Sequence, residues 1–376
     1  MKDKIVAITS NFGLGPVGKL SSIINASGDE FEWYALGQEF DTEIFEKNKF
    51  KKVLWTEQEE QMKQFIKENN IKYALVILKN KYARLLKSIG VKVIYVDSLP
   101  FMWTEEDAKS GKIPYDLDIY CAQKTIELTD KSKELFSKVK NLKWVNPIIP
   151  TGKKIVQNSI DNNIIINVGG LHSPIGNGEE YINVVIKPLI ECLKYKYKDK
   201  NIILTCGNKA KKSLEKALKE YNIKVETFKQ EEFINKVGEC FLFFTSPGLT
   251  TLLEIANLDK KVIVLPPQNL SQFYNLEYSK KILSEYKIID WNREGLSLND
   301  FKDINLLESE IVILIYNNIK KLQTREEIIN EKNYIMNILN TNFINNQNYI
   351  KQKQDGANEV VEYIREVVKG GKNDNK

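Results

Sequence analysis

Short runs of apolar, often β-branched residues alternate along this chain with longer segments whose apolar positions recur every three to four residues. In the first 150 residues the runs predict strands at 4–9, 31–36, 52–55, 73–78, 93–96 and 119–122. Helical spacing lies between them, at 17–26, 57–69, 81–88 and 130–139. This alternation predicts an α/β fold of right-handed βαβ units, with a parallel sheet covered on both faces. The pattern breaks at VNPIIPTGKK, where Pro147, Pro150 and Gly152 interrupt it, and then restarts. Strands are expected at 163–168, 201–205, 224–227, 241–245, 261–265 and 287–290, with helices at 179–194, 209–221, 231–237, 249–256 and 270–285. The remainder reads as helical to about residue 368, and the closing GGKNDNK as frayed. The expected organisation is two doubly wound domains, 1–150 and 151–350, followed by a terminal helix and tail, 351–376. Ligands of such sheets bind at the carboxyl ends of the strands, so the loops after strands, facing a cleft between the domains, are where chemistry is expected.

Composition narrows the class. Of 376 residues, 42% are hydrophobic and 28% charged, which excludes wholesale disorder. A net charge of +5 is too balanced for a dedicated nucleic-acid binder, yet tolerates an anionic ligand. The four cysteines have no C-x-x-C spacing and read as buried thiols of a reducing compartment rather than a disulfide or zinc framework. No apolar run reaches the ~18 residues of a membrane span, and MKDKIVAITSN reads as a first strand rather than a leader, so the expected location is the cytoplasm.

Four loops carry candidate chemistry. In SNFGLGPVGKL, Gly13, Gly15 and Gly18 match G-x-G-x-x-G, which fits either a dinucleotide site or a tight loop shaping the cleft. A dinucleotide site also wants an acid closing the second strand, and Glu39 lies only near that place. In INVGGLHSPIGNGEE, Gly170 and Ser173 could receive phosphate oxygens, and the chain's only histidine, His172, sits between them; a plain glycine turn is the alternative. In FFTSPGLTTLLEIANLDKK, a strand stops at Ser246-Pro247-Gly248 and a helix begins at once. Its first turn brings N–H groups and the Thr250 and Thr251 hydroxyls to one spot, where an anion gains about 0.3–1 kcal/mol per helix-dipole contact. Glu254, one turn on, would repel a diphosphate but could accept both hydroxyls of a ribose; a Thr251–Glu254 capping box is the competing reading. In LPPQNLSQFYNLEY, the amides of Gln268, Asn269, Gln272 and Asn275 suit sugar hydroxyls, or simply start a polar helix.

The order of these motifs resembles the GT-B glycosyltransferases, nearest the MurG and UDP-glucuronosyltransferase-like enzymes. The likeness spans most of the chain and is specific over residues 225–276, through S-P-G-x-x-T-x-x-E-I-A, P-x-Q and S-Q-x-x-N. It implies the GT-B fold: two Rossmann-like domains facing a cleft, the first binding the acceptor, the second the nucleotide sugar, and a last helix from Gly356 crossing back to the first. It also implies that Gly248, Thr251 and Glu254 hold the donor's diphosphate and ribose, that Gln272 and Asn275 contact the donor sugar, and that Phe228 packs on the base. Ser271 stands where relatives carry an acid. Ser246 stands where retaining members carry a second glutamate, which favours the inverting branch. Many relatives carry a histidine in the first glycine-rich loop; this chain does not.

The activity expected from this resemblance is an inverting hexosyltransferase, metal- and cofactor-free, moving a sugar from a UDP-sugar to an unidentified acceptor. Asp116-Leu117-Asp118 precedes a strand rather than ending one and is set aside as a metal site. A base must come from the first domain; Asp97, closing a strand before SLPFMWTEEDAK, is the choice, with loop capping as the alternative. Gly13, Gly15, Phe101 and Trp103 are the expected acceptor contacts. Residues 99–103 beside Lys109 and Lys112 could form a lid or touch a membrane surface. The competing functions are a sugar-nucleotide epimerase or hydrolase, a non-catalytic nucleotide-sugar binder, and an NAD-dependent oxidoreductase.

Overall fold

The computed structural model describes residues 2–373 apart from 11–14, 41–44, 46–47, 150–160, 170–177, 259, 292–294, 303–307 and 354. The chain forms two compact units. Among the described residues the first has seven parallel strands: β1 (Asp3–Thr9), β2 (Phe31–Gly37), β3 (Phe50–Trp55), β4 (Tyr73–Ile77), β5 (Lys92–Asp97), β6 (Ile119–Gln123) and β7 (Leu142–Val145). Their spatial order is β3-β2-β1-β4-β5-β6-β7. The second unit repeats that order with β8 (Asn163–Asn167), β9 (Asn201–Thr205), β10 (Lys224–Glu226), β11 (Leu242–Thr245), β12 (Lys261–Val264), β13 (Glu285–Ile288) and β14 (Ile344–Asn345), arranged β10-β9-β8-β11-β12-β13-β14. Only β14 runs antiparallel among the described strands. The strand order reverses direction beside β1 and β4 in one unit and beside β8 and β11 in the other, and these switch points are where open α/β sheets bind ligands.

Side-chain alternation explains the layers. In the first unit Ile5, Ala7, Trp33, Leu75 and Val96 face one side, against the helices Gly15–Ala26 and Gly356–Asn373. Val6, Ile8, Tyr34, Val76 and Tyr95 face the other, against Glu59–Glu68, Asn80–Ser88 and Asp130–Ser137. Each strand is apolar on both faces, as a doubly covered parallel sheet requires. The last helix joins the first unit through Ala357, Val360, Val361, Ile364 and Val368, an i, i+3, i+4, i+7 stripe that is buried throughout. It runs on to Asn373, so the expected fraying of GGKNDNK is corrected: the Tyr73 hydroxyl donates to the Val368 carbonyl (3.3 Å), and Gly371 packs so closely on Tyr73 that a Cβ would lie 2.8 Å from its oxygen.

Other differences have local causes. β7 and β14 were not expected, because LKWV is half-buried and β14 spans two exposed residues, so neither carries an apolar run. The helix expected over 179–194 is three pieces: Glu179–Tyr181, a π-helical turn Ile182–Ile186, and Lys187–Lys196, with Pro188 unable to donate into the preceding turn. The strand expected at 287–290 lies two residues earlier. Lys287, inside it, is buried with its ammonium donating to the carbonyls of Ile338 (2.9 Å), Leu339 (3.1 Å) and Thr341 (2.7 Å), closing the end of the helix Arg325–Asn340. All four thiols are buried and unpaired. Among the described residues no helix is long and apolar enough to cross a membrane.

The start of the last helix is clamped. The Glu359 carboxylate accepts from the backbone N–H and the side-chain amide of Asn146 (2.7 Å each), and a Cβ on Gly356 would lie 2.0 Å from the Asn146 carbonyl oxygen. Gly356→Ala is therefore expected to lower stability by about 1–3 kcal/mol in urea unfolding, through overpacking. Gly370→Ala, where a Cβ meets nothing within 4 Å, is the control and should be neutral or stabilising.

Candidate functional site

The second unit's switch point lies between the ends of β8 and β11. Asn167 closes β8, and its amide donates to Thr245 Oγ1 (3.1 Å) at the end of β11 while its oxygen accepts from the Gly169 N–H (3.2 Å). Thr245 in turn donates to the Ser246 carbonyl (2.8 Å). The chain then turns sharply at Ser246-Pro247-Gly248, with the Gly248 N–H on the Ser246 carbonyl (2.7 Å), and enters the helix Leu249–Ile255. Gly248 is its N-cap and no side chain caps it, so the Thr251–Glu254 capping box does not form. Thr250, Thr251 and Glu254 are half-buried along its first turns.

Glu254 is oriented from outside its own helix. Gln230, opening the helix Gln230–Glu239, donates its amide to Glu254 Oε1 (2.5 Å). Phe228 lies half-buried two residues earlier, in the loop after β10. The sequence offered no signal for Gln230, which reads as an ordinary polar residue near a helix start.

Beyond β12 the amides gather. Asn269 caps the helix Leu270–Ile282 by accepting from the Gln272 N–H (3.1 Å), and Ser271 donates to the same oxygen (2.8 Å). Gln272 Oε1 accepts from the Gln268 N–H (2.8 Å). Gln268 Nε2 donates to Ser246 Oγ (3.0 Å), and Asn275 Nδ2 to the Pro247 carbonyl (2.9 Å). Gln268 and Asn275 thus meet on adjacent residues of one turn. Each leaves its carbonyl oxygen buried with no protein donor. An unsatisfied buried acceptor costs about 1–3 kcal/mol, so a pair of them marks a place where a bound group would restore what folding gave up. Two aromatic residues brace the segment before Gln268: Tyr181 donates to the Pro266 carbonyl (2.9 Å) and the Trp291 indole to the Pro267 carbonyl (2.7 Å). Neither was singled out from the sequence, because their contacts span 85 and 24 residues.

The first unit treats its expected residues differently. Asp97 is fully buried. Its Oδ1 accepts from the Leu99 N–H (2.8 Å), and its Oδ2 from the Trp103 indole (2.6 Å) and the Tyr120 hydroxyl (2.7 Å). Burial raises its pKa, and the three donors pull it back. A carboxylate closed to solvent and engaged on both oxygens cannot take a proton from an acceptor in this arrangement, so the general-base expectation is replaced by loop capping. Phe101 is also buried, in the turn Pro100–Met102, rather than exposed as an acceptor wall; Trp103 is half-buried and tied to Asp97. Gly15 opens the helix Gly15–Ala26. Beside Lys109, Lys112 pairs with Asp107 (2.9 Å), within a capping box that starts the helix Glu105–Lys109. Asp118 accepts from the Val93 N–H (2.9 Å) and pairs with Lys87 (2.9 Å), while Asp116 pairs with Lys140 (3.3 Å), so both carboxylates serve the sheet edge. Gly13, Gly170, His172 and Ser173 lie outside the described residues.

No protein-family model matches the chain, and no curated protein matches its sequence. Solved structures do match. Acinetobacter baumannii MurG is 9% identical, covering 97% of this chain and 99% of that one, with a TM-score of 0.50. The UDP-GlcNAc 2-epimerase of Methanocaldococcus jannaschii, in complex with UDP-GlcNAc and UDP, is 14% identical over 97% and 99%, with a TM-score of 0.54. A UDP-glucosyltransferase from Polygonum tinctorium capable of glucosylating indoxyl is 10% identical over 91% and 99%, with a TM-score of 0.52. At such identities the likeness establishes the fold, and the fold is GT-B.

The Asp97 assignment has a direct check. Asp97→Asn puts an NH2 group against one of three donors and should lower stability by about 1–3 kcal/mol, read as a fall in Tm. An unchanged Tm would contradict the capping role.

Proposed function

We propose that this chain is an inverting, metal-independent glycosyltransferase that takes its sugar from a nucleoside-diphosphate donor, with UDP the expected nucleotide. The observation that carries this reading is the pair of buried, unpaired carbonyl oxygens of Gln268 and Asn275, anchored on the turn Ser246-Pro247-Gly248 at the switch point of a GT-B unit. A sugar hydroxyl is a donor, and two such acceptors suit it.

The remaining pieces fit the same ligand. The start of the helix Leu249–Ile255 supplies N–H groups and hydroxyls to a diphosphate, and Glu254, steadied by Gln230, accepts from the ribose hydroxyls. In the transfer step an acceptor hydroxyl attacks the anomeric carbon, its proton passing to a base. The bond from that carbon to the β-phosphate oxygen breaks, and UDP departs with the electron pair. Donors preorganised at the phosphate stabilise the charge that grows there, an effect worth about 10²–10³ in rate for one good donor. Ser246 offers a hydroxyl, not a carboxylate, where a double displacement would want a nucleophile, which supports single displacement and inversion.

A second reading, a sugar-nucleotide epimerase, is favoured by the Methanocaldococcus jannaschii enzyme, whose likeness extends over 97% of this chain. NMR of the protein with UDP-GlcNAc and UDP-glucose and a panel of acceptors separates the two. Transfer predicts UDP release that depends on acceptor; epimerisation predicts a changed configuration at C2 with the nucleotide bond intact.

Binding provides the residue-level check. Glu254→Ala should weaken UDP by about 10–100-fold in calorimetry, the loss of a hydrogen bond to a charged group, and Gln230→Ala should act in the same direction by less. Unchanged UDP affinity in Glu254→Ala would contradict the ribose role.

A further inference from the structure

The two amides at this site share a sense of direction. Gln268 and Asn275 both turn their NH2 groups into the Ser246-Pro247 turn and leave their oxygens without a protein donor. Both side chains are deeply buried, the residues being 1% and 2% exposed. For Asn275 the sense is fixed directly, because the Pro247 carbonyl can only accept.

For Gln268 it is fixed by a relay. The Pro266 carbonyl can only accept, so the Tyr181 hydroxyl gives it its proton (2.9 Å). The Tyr181 oxygen is then left to accept, and the Ser246 hydroxyl stands against it. Ser246 Oγ, its proton turned toward Tyr181, accepts from Gln268 Nε2 (3.0 Å). Every proton in the chain points toward Pro266, and Gln268 Oε1 is left facing the other way as an acceptor. Burial raises the pKa of the Tyr181 phenol, which therefore keeps the proton that sets this sense.

We infer that Gln268 Oε1 and Asn275 Oδ1 form an acceptor-only contact for the donor sugar, held in that sense by Tyr181 as a positioning residue, and that the site selects neutral hexose or N-acetylhexosamine donors over hexuronates. The inference rests on the nucleotide-sugar reading above. Hydroxyl and amide N–H groups donate to both oxygens and relieve two buried unpaired acceptors. A hexuronate carboxylate has no proton to give near neutral pH and sets its charge against two carbonyl dipoles.

Calorimetry of the wild-type protein and of Tyr181→Phe with UDP, UDP-glucose, UDP-N-acetylglucosamine and UDP-glucuronate tests this. The wild type should bind the neutral sugar nucleotides about tenfold or more tighter than UDP-glucuronate. Tyr181→Phe should hold UDP within about twofold of wild type yet shrink that preference to about threefold or less, because a phenyl ring frees Ser246 and lets the amide turn. A merely structural role for Tyr181 would move all four ligands together. Equal wild-type affinity for UDP-glucose and UDP-glucuronate overturns the inference whatever the variant does, as does a Tyr181→Phe protein that keeps the full preference. A wild type that binds none of the four overturns the donor reading and the inference with it, whereas tight UDP binding without discrimination overturns the inference alone.

Discussion

A parallel sheet covered by helices on both faces leaves a polar side chain few places to stand. Along β8 and β11 the strand interiors are apolar on both sides, through Ile164, Ile165 and Ile166 and through Leu242, Phe243 and Phe244. Polarity begins where these strands end, at Asn167 and at Thr245-Ser246, and at Gln268 beyond β12. Burial at those ends then demands partners, and the partners are each other: Asn167 with Thr245, Ser246 with Gln268, Pro247 with Asn275. The two acceptors left over are consequences of that packing, and they are what makes the turn a binding surface rather than a plain connection.

Much of this could be read from the residues. Ser246-Pro247-Gly248 ends an apolar run and precedes helical spacing, and such turn chemistry is local. The doubly wound order followed from alternation, and the amphipathic stripe from Ala357 to Val368 showed in the spacing of its apolar residues. What could not be read was reciprocal and distant. Tyr181, Trp291 and Gln230 act on Pro266, Pro267 and Glu254 from other elements, and nothing in their own neighbourhoods says so.

Asp97 shows how a correct placement can carry the wrong role. Its position at the end of β5 is legible, and a strand-end carboxylate invites a catalytic reading. The turn that follows folds Trp103 back onto it, and Tyr120 reaches it from neighbouring β6. Those two donors, unknowable from spacing, convert an available base into the anchor of a loop. The same logic runs in reverse at Gln268 and Asn275, which looked like a routine polar helix start and prove to be incompletely satisfied.

The most direct measurement is a crystal structure of the protein with a neutral UDP-sugar. The account predicts diphosphate density at the first turn of the helix Leu249–Ile255, the ribose at Glu254, and sugar hydroxyls within hydrogen-bonding distance of Gln268 Oε1 and Asn275 Oδ1. Nucleotide density at the loop after β1, or anywhere that leaves those two oxygens unpaired, would contradict it.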